Sequence, residues 1–155
     1  MAQTLNRKFK LSAAARSTAR IVSGSSLGLT VNRTHDLIQK VQKGLLFNAF
    51  EALASQSGIP STELVSVLAI PHRTFARRKS SGRFLPDESE RLLRIARIFE
   101  QALELFEGDA SAAAKWLRTP RKALGNRKPL EFSATELGAR EVEALMGQLV
   151  HGVFP

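Results

Sequence analysis

The chain has 155 residues, of which 43% are hydrophobic, and a formal net charge of +9 at neutral pH. The apolar share is enough to build a core, which argues against wholesale disorder, and no run approaches the roughly 18 apolar residues of a membrane span. Cysteine is absent, which excludes disulfides, thiol catalysis and Cys-ligated metal and is compatible with a reducing cytoplasm.

The positive charge is concentrated toward the N-terminus. Residues 1–44 carry eight Lys/Arg against one Asp, residues 45–84 carry five against two acidic residues, and residues 85–155 carry ten against eleven. This asymmetry indicates a basic end that meets a polyanion and a neutral end that meets something else. A disordered basic tail on a neutral globule is the alternative.

The first thirty residues show no sustained helical or strand period. The stretch SGSSLGLT at 23–30, with two glycines among serines, is typical of a linker. The basic start, rich in Ala and Ser, superficially suggests a transit peptide, but it lacks the continuous apolar region of a secretory signal. We therefore expect residues 1–35 to form a basic, flexible N-terminal segment.

A helical pattern begins at Asp36 and continues past Gly44 until SGIPS at 57–61 interrupts it. Two short helices are predicted next. The first has Ser61 as its N-cap, and the second runs from His72 to about 79 with Phe75 and Ala76 turned toward the core. Helix, tight break and helix together predict a helix-turn-helix, in which the first helix braces the second across the DNA backbone.

The second of these helices lies in a strongly basic stretch, PHRTFARRKSSGRF at 71–84, which has five Lys/Arg and no acidic residue. Arginine suits base reading because its planar fork pairs with guanine or with phosphate. Spacing and charge alone leave a solvated basic face as the alternative. The residues predicted to reach the major groove are Arg73, Thr74, Arg77 and Arg78, and those predicted near phosphates are Lys79, Ser80 and Arg83.

A long helix is predicted to begin at Asp87, which has capping-box spacing with Glu90, and to end at Gly108. Its apolar stripe is wider than one core face requires. Because DNA operators are usually read as two half-sites, the extra apolar surface indicates a homodimer. The residues predicted at the dimer interface are Leu93, Ile98 and Leu105.

Two more helices complete the prediction. A short helix covers 109–117, with Trp116 as a core residue, and ends before Thr119-Pro120. After a loop at 125–129, Ser133 and Glu136 have capping-box spacing for a last helix that continues to the C-terminus. No alternating strand pattern of useful length is present. The predicted fold is all-α, with a helix-turn-helix DNA-binding domain at 36–84 and a dimerisation and partner-binding domain at 85–155.

Two linked motifs in the second half of the chain resemble the pattern of a known protein family. They are WLRTPRKALGNRKPLEF at 116–132 and VEALMGQLVHGVF at 142–154. This pattern resembles the C-terminal domain of the Xre/MbcA/ParS family of bacterial antitoxins, and residues 73–108 look like the recognition helix and dimer helix of Xre-type members. The resemblance covers about residues 36–155. Two departures are Asn126, where the family usually has a second glycine, and EFSATELGAR at 131–140, which differs from the commoner leucine-rich form.

The resemblance implies a type II antitoxin. Members of this kind neutralise a RES-domain toxin, an enzyme that consumes NAD, by covering its active-site cleft with the antitoxin's C-terminal region. The helix-turn-helix of such members represses the module's own operon, more strongly in a higher-order complex with the toxin. By implication the cofactor belongs to the toxin, and this chain itself needs none.

The residues of the C-terminal region fit such a partner. Val150, Val153 and Phe154 give the chain an apolar terminus suited to insertion into a cleft, although Phe154 folding back onto the chain's own core is the alternative. His151, between them, is also predicted to bind toxin. A basic loop suits an acidic toxin surface, with ordinary solvated charge as the alternative. The loop residues predicted to bind toxin are Arg118, Arg121, Lys122, Arg127 and Lys128.

Catalysis is not predicted. The three histidines, His35, His72 and His151, are scattered without neighbouring carboxylate motifs, and no Gly-rich phosphate loop or Ser-His-Asp arrangement is present. No catalytic or metal-ligating residue is therefore assigned. The alternative function is a stand-alone helix-turn-helix transcriptional regulator whose C-terminal helices sense a small molecule or a protein. A further alternative is an antitoxin whose helix-turn-helix no longer binds DNA.

Overall fold

The computed structural model describes residues 24–152, and within that range the fold is all-α, as predicted. Among those residues no helix is both long and apolar enough to cross a bilayer. The described part of the chain contains two 3₁₀ turns, Ser25–Leu27 and Lys122–Leu124, and eight α-helices. The helices are α1 (Thr34–Lys43), α2 (Phe47–Ser57), α3 (Ser61–Val67), α4 (His72–Ser81), α5 (Pro86–Leu105), α6 (Ala110–Leu117), α7 (Pro129–Phe132) and α8 (Glu136–Val150).

The chain turns sharply between α1 and α2, at Gly44. This residue has a φ of 88°, and a Cβ there would overlap the carbonyl oxygen of Phe84, so the position requires glycine. The Phe84 N–H donates to the Leu45 carbonyl at 2.9 Å, which pins the segment after α4 against the corner. The helical pattern predicted past Gly44 is therefore two helices separated by this close backbone contact.

A single hydrophobic core holds the helices together, and α5 passes through its centre. Leu92, Ile95 and Phe99 are almost completely buried, and α5 packs on α1, α2, α6 and α8. Trp116 of α6 is buried, which confirms its predicted place in the core. Ile98, predicted at the dimer interface, is fully buried among the chain's own helices. The Ile98 side chain therefore cannot contact a second copy of the chain, and the prediction that it lies at the dimer interface is wrong.

Ion pairs fasten α5 to the last helix, α8. The Arg94 Nε donates to Glu136 at 3.0 Å, and the Arg97 Nε donates to Glu143 at 2.6 Å. Arg94 also donates to the Ala134 carbonyl at 2.9 Å, just before α8. Burial raises the pKa of Glu136, but the two arginines outweigh it and hold that pKa below its ordinary value. The charged pairs thus fix α8 along the middle of α5.

The start of the described chain is folded where a linker was predicted. Leu27 of the first 3₁₀ turn is buried, and the carboxylate of Glu100 in α5 lies beneath the turn. Glu100 Oε1 accepts from the Gly24 N–H at 3.0 Å, the Ser26 N–H at 2.9 Å and the Ser26 hydroxyl at 2.7 Å. The linker interpretation is wrong for residues 24–27, because their small polar residues supply the donors that a buried carboxylate needs.

Helix starts differ from the predicted capping residues. Ser61 is the first residue of α3 rather than its cap, and Pro60 precedes it without a side-chain cap bond. The long helix α5 begins one residue before the predicted Asp87, and its first turn is closed by Glu88, whose Oε1 accepts from the Leu85 N–H at 2.8 Å. A carboxylate reaching back in this way satisfies a backbone donor that the helix itself cannot pair.

The last helix, α8, is capped by Thr135 rather than by Ser133. The Thr135 hydroxyl accepts from the Gly138 N–H at 3.0 Å. Ser133 is buried and donates to the Pro129 carbonyl at 2.8 Å, so it belongs to the end of α7. Gly138 is buried against α7, where a Cβ would overlap the carbonyl oxygen of Phe132. The approach of α7 to α8 therefore depends on a glycine inside a helix.

Candidate functional site

The predicted helix, tight break and helix are present in the structure. The turn between α3 and α4 contains Ala69 with a φ of 54°, a left-handed conformation that is uncommon for alanine. The Ala69 N–H donates to Ser66, and the Ile70 N–H donates to Val65, so the turn folds back on α3. Pro71 then precedes α4 in an extended conformation. This turn sets the orientation of α4 relative to α3.

Aromatic packing anchors α4 to the core through Phe75, as predicted. The Phe75 ring lies with its centroid 4.9 Å from that of Phe50 and 5.2 Å from that of Phe47. Ala76, which was predicted to turn toward the core, is exposed. Because Phe75 is the apolar anchor of α4 and no residue of the helix is fully buried, most of the helix surface faces solvent.

The outward surface of α4 is cationic. Arg73, Arg77, Lys79 and Ser80 are exposed, and Thr74 is half-buried beside them. Among residues 24–152, none of these three cations has an ion-pair partner. The ten residues of α4 include no Asp or Glu. This surface has the charge and the free donors that phosphates and base edges require.

Arg78 is held inside the protein and does not join the predicted base-reading set. Its Nε donates to Glu88 at 2.7 Å and its Nη2 donates to the same carboxylate at 3.3 Å, with only 13% of the side chain exposed. The hydrogen bond to Glu88 raises the pKa of Arg78 above its ordinary value. Since the guanidinium fork is already used, Arg78 ties α4 to the first turn of α5.

Arg83, which is predicted to lie near phosphates, also contacts the backbone of the fold. Its Nη1 donates to the Gly44 carbonyl at 2.6 Å, and the residue faces Leu46 across an isolated antiparallel bridge. The side chain therefore braces the corner between α1 and α2. Arg83 remains exposed at the surface, so a phosphate contact would use its remaining donors.

A second cationic surface follows α6. The Arg118 Nε donates to Glu63 of α3 at 2.9 Å and the Arg118 Nη2 donates at 2.6 Å, so this cation is neutralised by a bidentate ion pair. The hydrogen bond from Arg118 lowers the pKa of Glu63. Lys128 has its Nζ 3.9 Å from Glu131, a looser contact. Two of the five predicted loop cations therefore already have carboxylate neighbours.

The loop between α6 and α7 is a tight turn that places two arginines opposite each other. The Arg121 N–H donates to the Arg127 carbonyl at 3.1 Å in an isolated antiparallel bridge. Gly125 and Asn126 form the turn with φ values of 64° and 62°. Asparagine tolerates this left-handed conformation better than other non-glycine residues, so Asn126 preserves the turn where the family usually has glycine.

Both opposed arginines stack on aromatic rings. The Arg121 guanidinium lies 5.1 Å from the centroid of Trp116, and that of Arg127 lies 5.2 Å from the centroid of Phe132. Arg121 is half-buried, while Lys122 beside it is exposed. Cation–π contacts of this kind fix the direction of a guanidinium group as well as stabilising it.

The predicted apolar terminus is only partly described. Val150 ends α8 and is half-buried, and His151 is exposed. Val153 and Phe154 lie outside the described residues, as do residues 1–23.

Glu63 and Glu88 were not predicted as partners of the basic surfaces. The only sequence signal available for Glu88 was its position three residues after Leu85, and Glu63 lies 55 residues from Arg118.

Comparisons with known proteins match both parts of the chain. Residues 36–97 match the family described as an antitoxin Xre-like helix-turn-helix domain, and residues 101–152 match the antitoxin Xre/MbcA/ParS C-terminal toxin-binding domain. A protein of Yersinia enterocolitica named antitoxin Xre is 39% identical over 129 residues, which cover 83% of this chain and 87% of that protein. A protein of Photorhabdus laumondii with the same name is 32% identical over 73% of this chain and 77% of its own length.

Proposed function

The chain belongs to the Xre family of antitoxins, and on that premise we propose that it neutralises a RES-domain, NAD-consuming toxin by covering the toxin's active site. Family membership makes it an antitoxin rather than an enzyme, with a toxin as its partner. The observation that carries the proposal is the toxin-binding domain matched at 101–152. The RES class of toxin rests on the resemblance of the motifs at 116–132 and 142–154.

The neutralising contact is tested by shortening the C-terminus. We expect the full-length chain to co-purify with the product of the neighbouring gene, and a chain ending at Gln148 to lose that complex. Toxicity should return and cellular NAD should fall, because the removed segment includes the predicted contacts Val150 and His151. An intact, non-toxic complex would move the contact upstream to the 118–130 loop. Toxicity without NAD loss would contradict a RES toxin, and a full-length chain that retains no partner would favour the stand-alone regulator.

We also propose that α4 binds operator DNA and represses the chain's own operon. Support comes from the cationic surface of α4, on which Arg73, Arg77 and Lys79 point outward without described ion-pair partners. An arginine fork reads guanine, whereas a lysine near the end of the helix neutralises phosphate without regard to sequence. The two residue types should therefore respond differently to substitution.

Arg77→Ala is expected to cost about 1–3 kcal/mol of operator binding and to relax sequence preference, whereas Lys79→Ala should weaken binding to all sequences alike. Fluorescence anisotropy with operator and scrambled duplexes, each at several salt concentrations, measures both effects. Arg78→Ala serves as the control, because Arg78 is bound to Glu88 and its loss should lower the melting temperature. Equal losses from Arg77→Ala and Lys79→Ala on both duplexes would contradict base reading by α4.

A homodimer in the cytoplasm, joined by the toxin in a higher-order complex, completes the proposal. Ile98 is excluded from the interface by its burial, but Leu93 and Leu105 are only partly buried. Leu93 and Ile38, which is 48% exposed, line a surface groove between α1 and α5 together with polar and charged side chains. A two-fold contact on α5, the helix that follows α4, would present two recognition helices to two half-sites.

A further inference from the structure

The surface that follows α6 has an unbalanced charge. Residues 110–130 include six Lys/Arg and no Asp or Glu. Arg118 is paired with Glu63, and Lys128 lies near Glu131. Within the part of the chain that the structure describes, Arg121 and Arg127 have no ion-pair partner. These two arginines therefore differ from the other loop arginine, Arg118, in lacking a carboxylate of their own.

The same two arginines are held in place before any partner arrives. The antiparallel bridge between them sends both side chains to one side of the turn, as directly opposed residues do in any antiparallel pair. The guanidinium groups of Arg121 and Arg127 lie over the rings of Trp116 and Phe132, respectively. A preorganised guanidinium loses less conformational entropy on binding than a mobile lysine does. The geometry is that of a prepared binding site for an anion.

In the free protein, the position of the Arg121 guanidinium costs free energy. Its Nε is buried without a hydrogen-bond partner among the described residues. Burial lowers the pKa of Arg121 below its ordinary value, which means that its surroundings disfavour the positive charge. A buried donor without a partner is rare in folded proteins and usually has an explanation in function. A negative charge placed on the exposed side of the guanidinium would offset this cost.

We propose that Arg121 and Arg127 form an arginine clamp that binds a carboxylate-bearing segment of the toxin, with Trp116 and Phe132 as its platform. This inference rests on the proposed toxin-binding function and specifies the chemistry of the contact. The clamp lies within the matched toxin-binding domain. Glu131 flanks the loop, and its exposed carboxylate would repel the continuous phosphates of a nucleic acid more than isolated Asp or Glu side chains.

The test compares variants that each remove one positive charge from α6 or from the loop after it. Arg121→Met and Arg127→Met keep an unbranched side chain for stacking and remove the guanidinium, while Lys115→Met, at an exposed lysine of α6 without a predicted toxin contact, is the matched control. With purified toxin as the probe in biolayer interferometry, each arginine variant should bind roughly 30-fold more weakly, as expected when one partner of a desolvated charge pair is lost. Lys115→Met should change the affinity by less than about 3-fold, as for an exposed charge.

Three further measurements test whether the effect is specific to the two guanidinium groups. Arg121→Lys, which retains the charge but lacks the planar fork, should restore only part of the affinity. Thermal unfolding checks that each variant is folded, and should Arg121→Met fail to fold, the Arg121→Lys and Arg127→Met pair decides. Raising the salt concentration should weaken the unaltered complex more than the Arg121→Met complex.

Each outcome decides between distinct explanations. Arginine variants that bind toxin as tightly as the unaltered chain would overturn the clamp. Equal loss from Lys115→Met would also overturn it, because general charge would then explain the contact. Loss of affinity for random-sequence duplex DNA, with toxin binding unchanged, would assign the surface to phosphate instead. If the unaltered chain does not bind toxin at all, the proposed function itself is contradicted. The clamp proposal is then contradicted as well, because it rests on that function.

Discussion

Replacement of Gly138 by alanine is expected to destabilise the protein by about 3 kcal/mol or more. Gly138 lies in the first turn of α8, where a Cβ would overlap the carbonyl oxygen of Phe132 at the end of α7. The obstructing atom belongs to the backbone, so no side-chain rotation relieves the contact. Alanine fits there only if α7 moves away from α8, which would also displace the loop that carries the predicted toxin contacts.

Gly147→Ala is the matched control for this prediction. Gly147 lies in the same helix, and a Cβ there would meet nothing within 4 Å. Alanine is favoured over glycine inside a helix by about 1 kcal/mol, so this variant should be slightly more stable than the unaltered chain. Urea unfolding followed by circular dichroism measures both variants. A Gly138→Ala protein as stable as Gly147→Ala would contradict the close packing of α7 on α8.

Glu100→Ala is expected to lower the free energy of unfolding by about 3 kcal/mol, since each buried donor left without a partner costs about 1–3 kcal/mol. The substitution leaves the Gly24 N–H, the Ser26 N–H and the Ser26 hydroxyl without their acceptor. Release of the first 3₁₀ turn would expose Leu27 and relieve part of that cost. The expected signs are therefore a lower urea midpoint and new proteolytic cleavage near residues 24–28.

Two controls separate this contact from a general loss of charge. Ser26→Ala removes one of the donors and should cost about 1 kcal/mol. Glu90→Ala removes an exposed carboxylate from the same helix and should change stability by less than about 0.5 kcal/mol. Should Glu100→Ala unfold at the same urea concentration as Glu90→Ala, the attachment of residues 24–27 to α5 would contribute nothing to the fold.

The helices were predictable from sequence because their signal is local. Residues such as Leu92, Ile95 and Phe99 recur at helical spacing and are buried together. The same signal led to the wrong prediction at Ile98. A wide apolar stripe has the same sequence pattern whether a second copy or the chain's own helices cover it. In this fold α1, α2, α6 and α8 all pack on α5, which accounts for the extra width within one chain.

The roles of individual charges were not predictable in the same way. Arg77 and Arg78 are adjacent in sequence, yet one faces solvent and the other is bound to Glu88. Composition places five cations in the basic stretch but does not reveal which of them the fold has already neutralised. Arg118 and Glu63 meet across 55 residues, and only the assembled core brings them together. Such pairings depend on tertiary structure, which helical periodicity does not encode.

The continuity of the long helix α5 would constrain recombination between the two halves of antitoxins of this kind. The two matched families meet between residues 97 and 101, inside the continuous helix Pro86–Leu105. Arg94 and Arg97 lie before that junction, whereas their partners Glu136 and Glu143 lie after it. A recombination event at the junction would join two complete family halves but exchange the partners of these ion pairs. Halves from different lineages would therefore keep these ion pairs only where the arginines and the glutamates are inherited together.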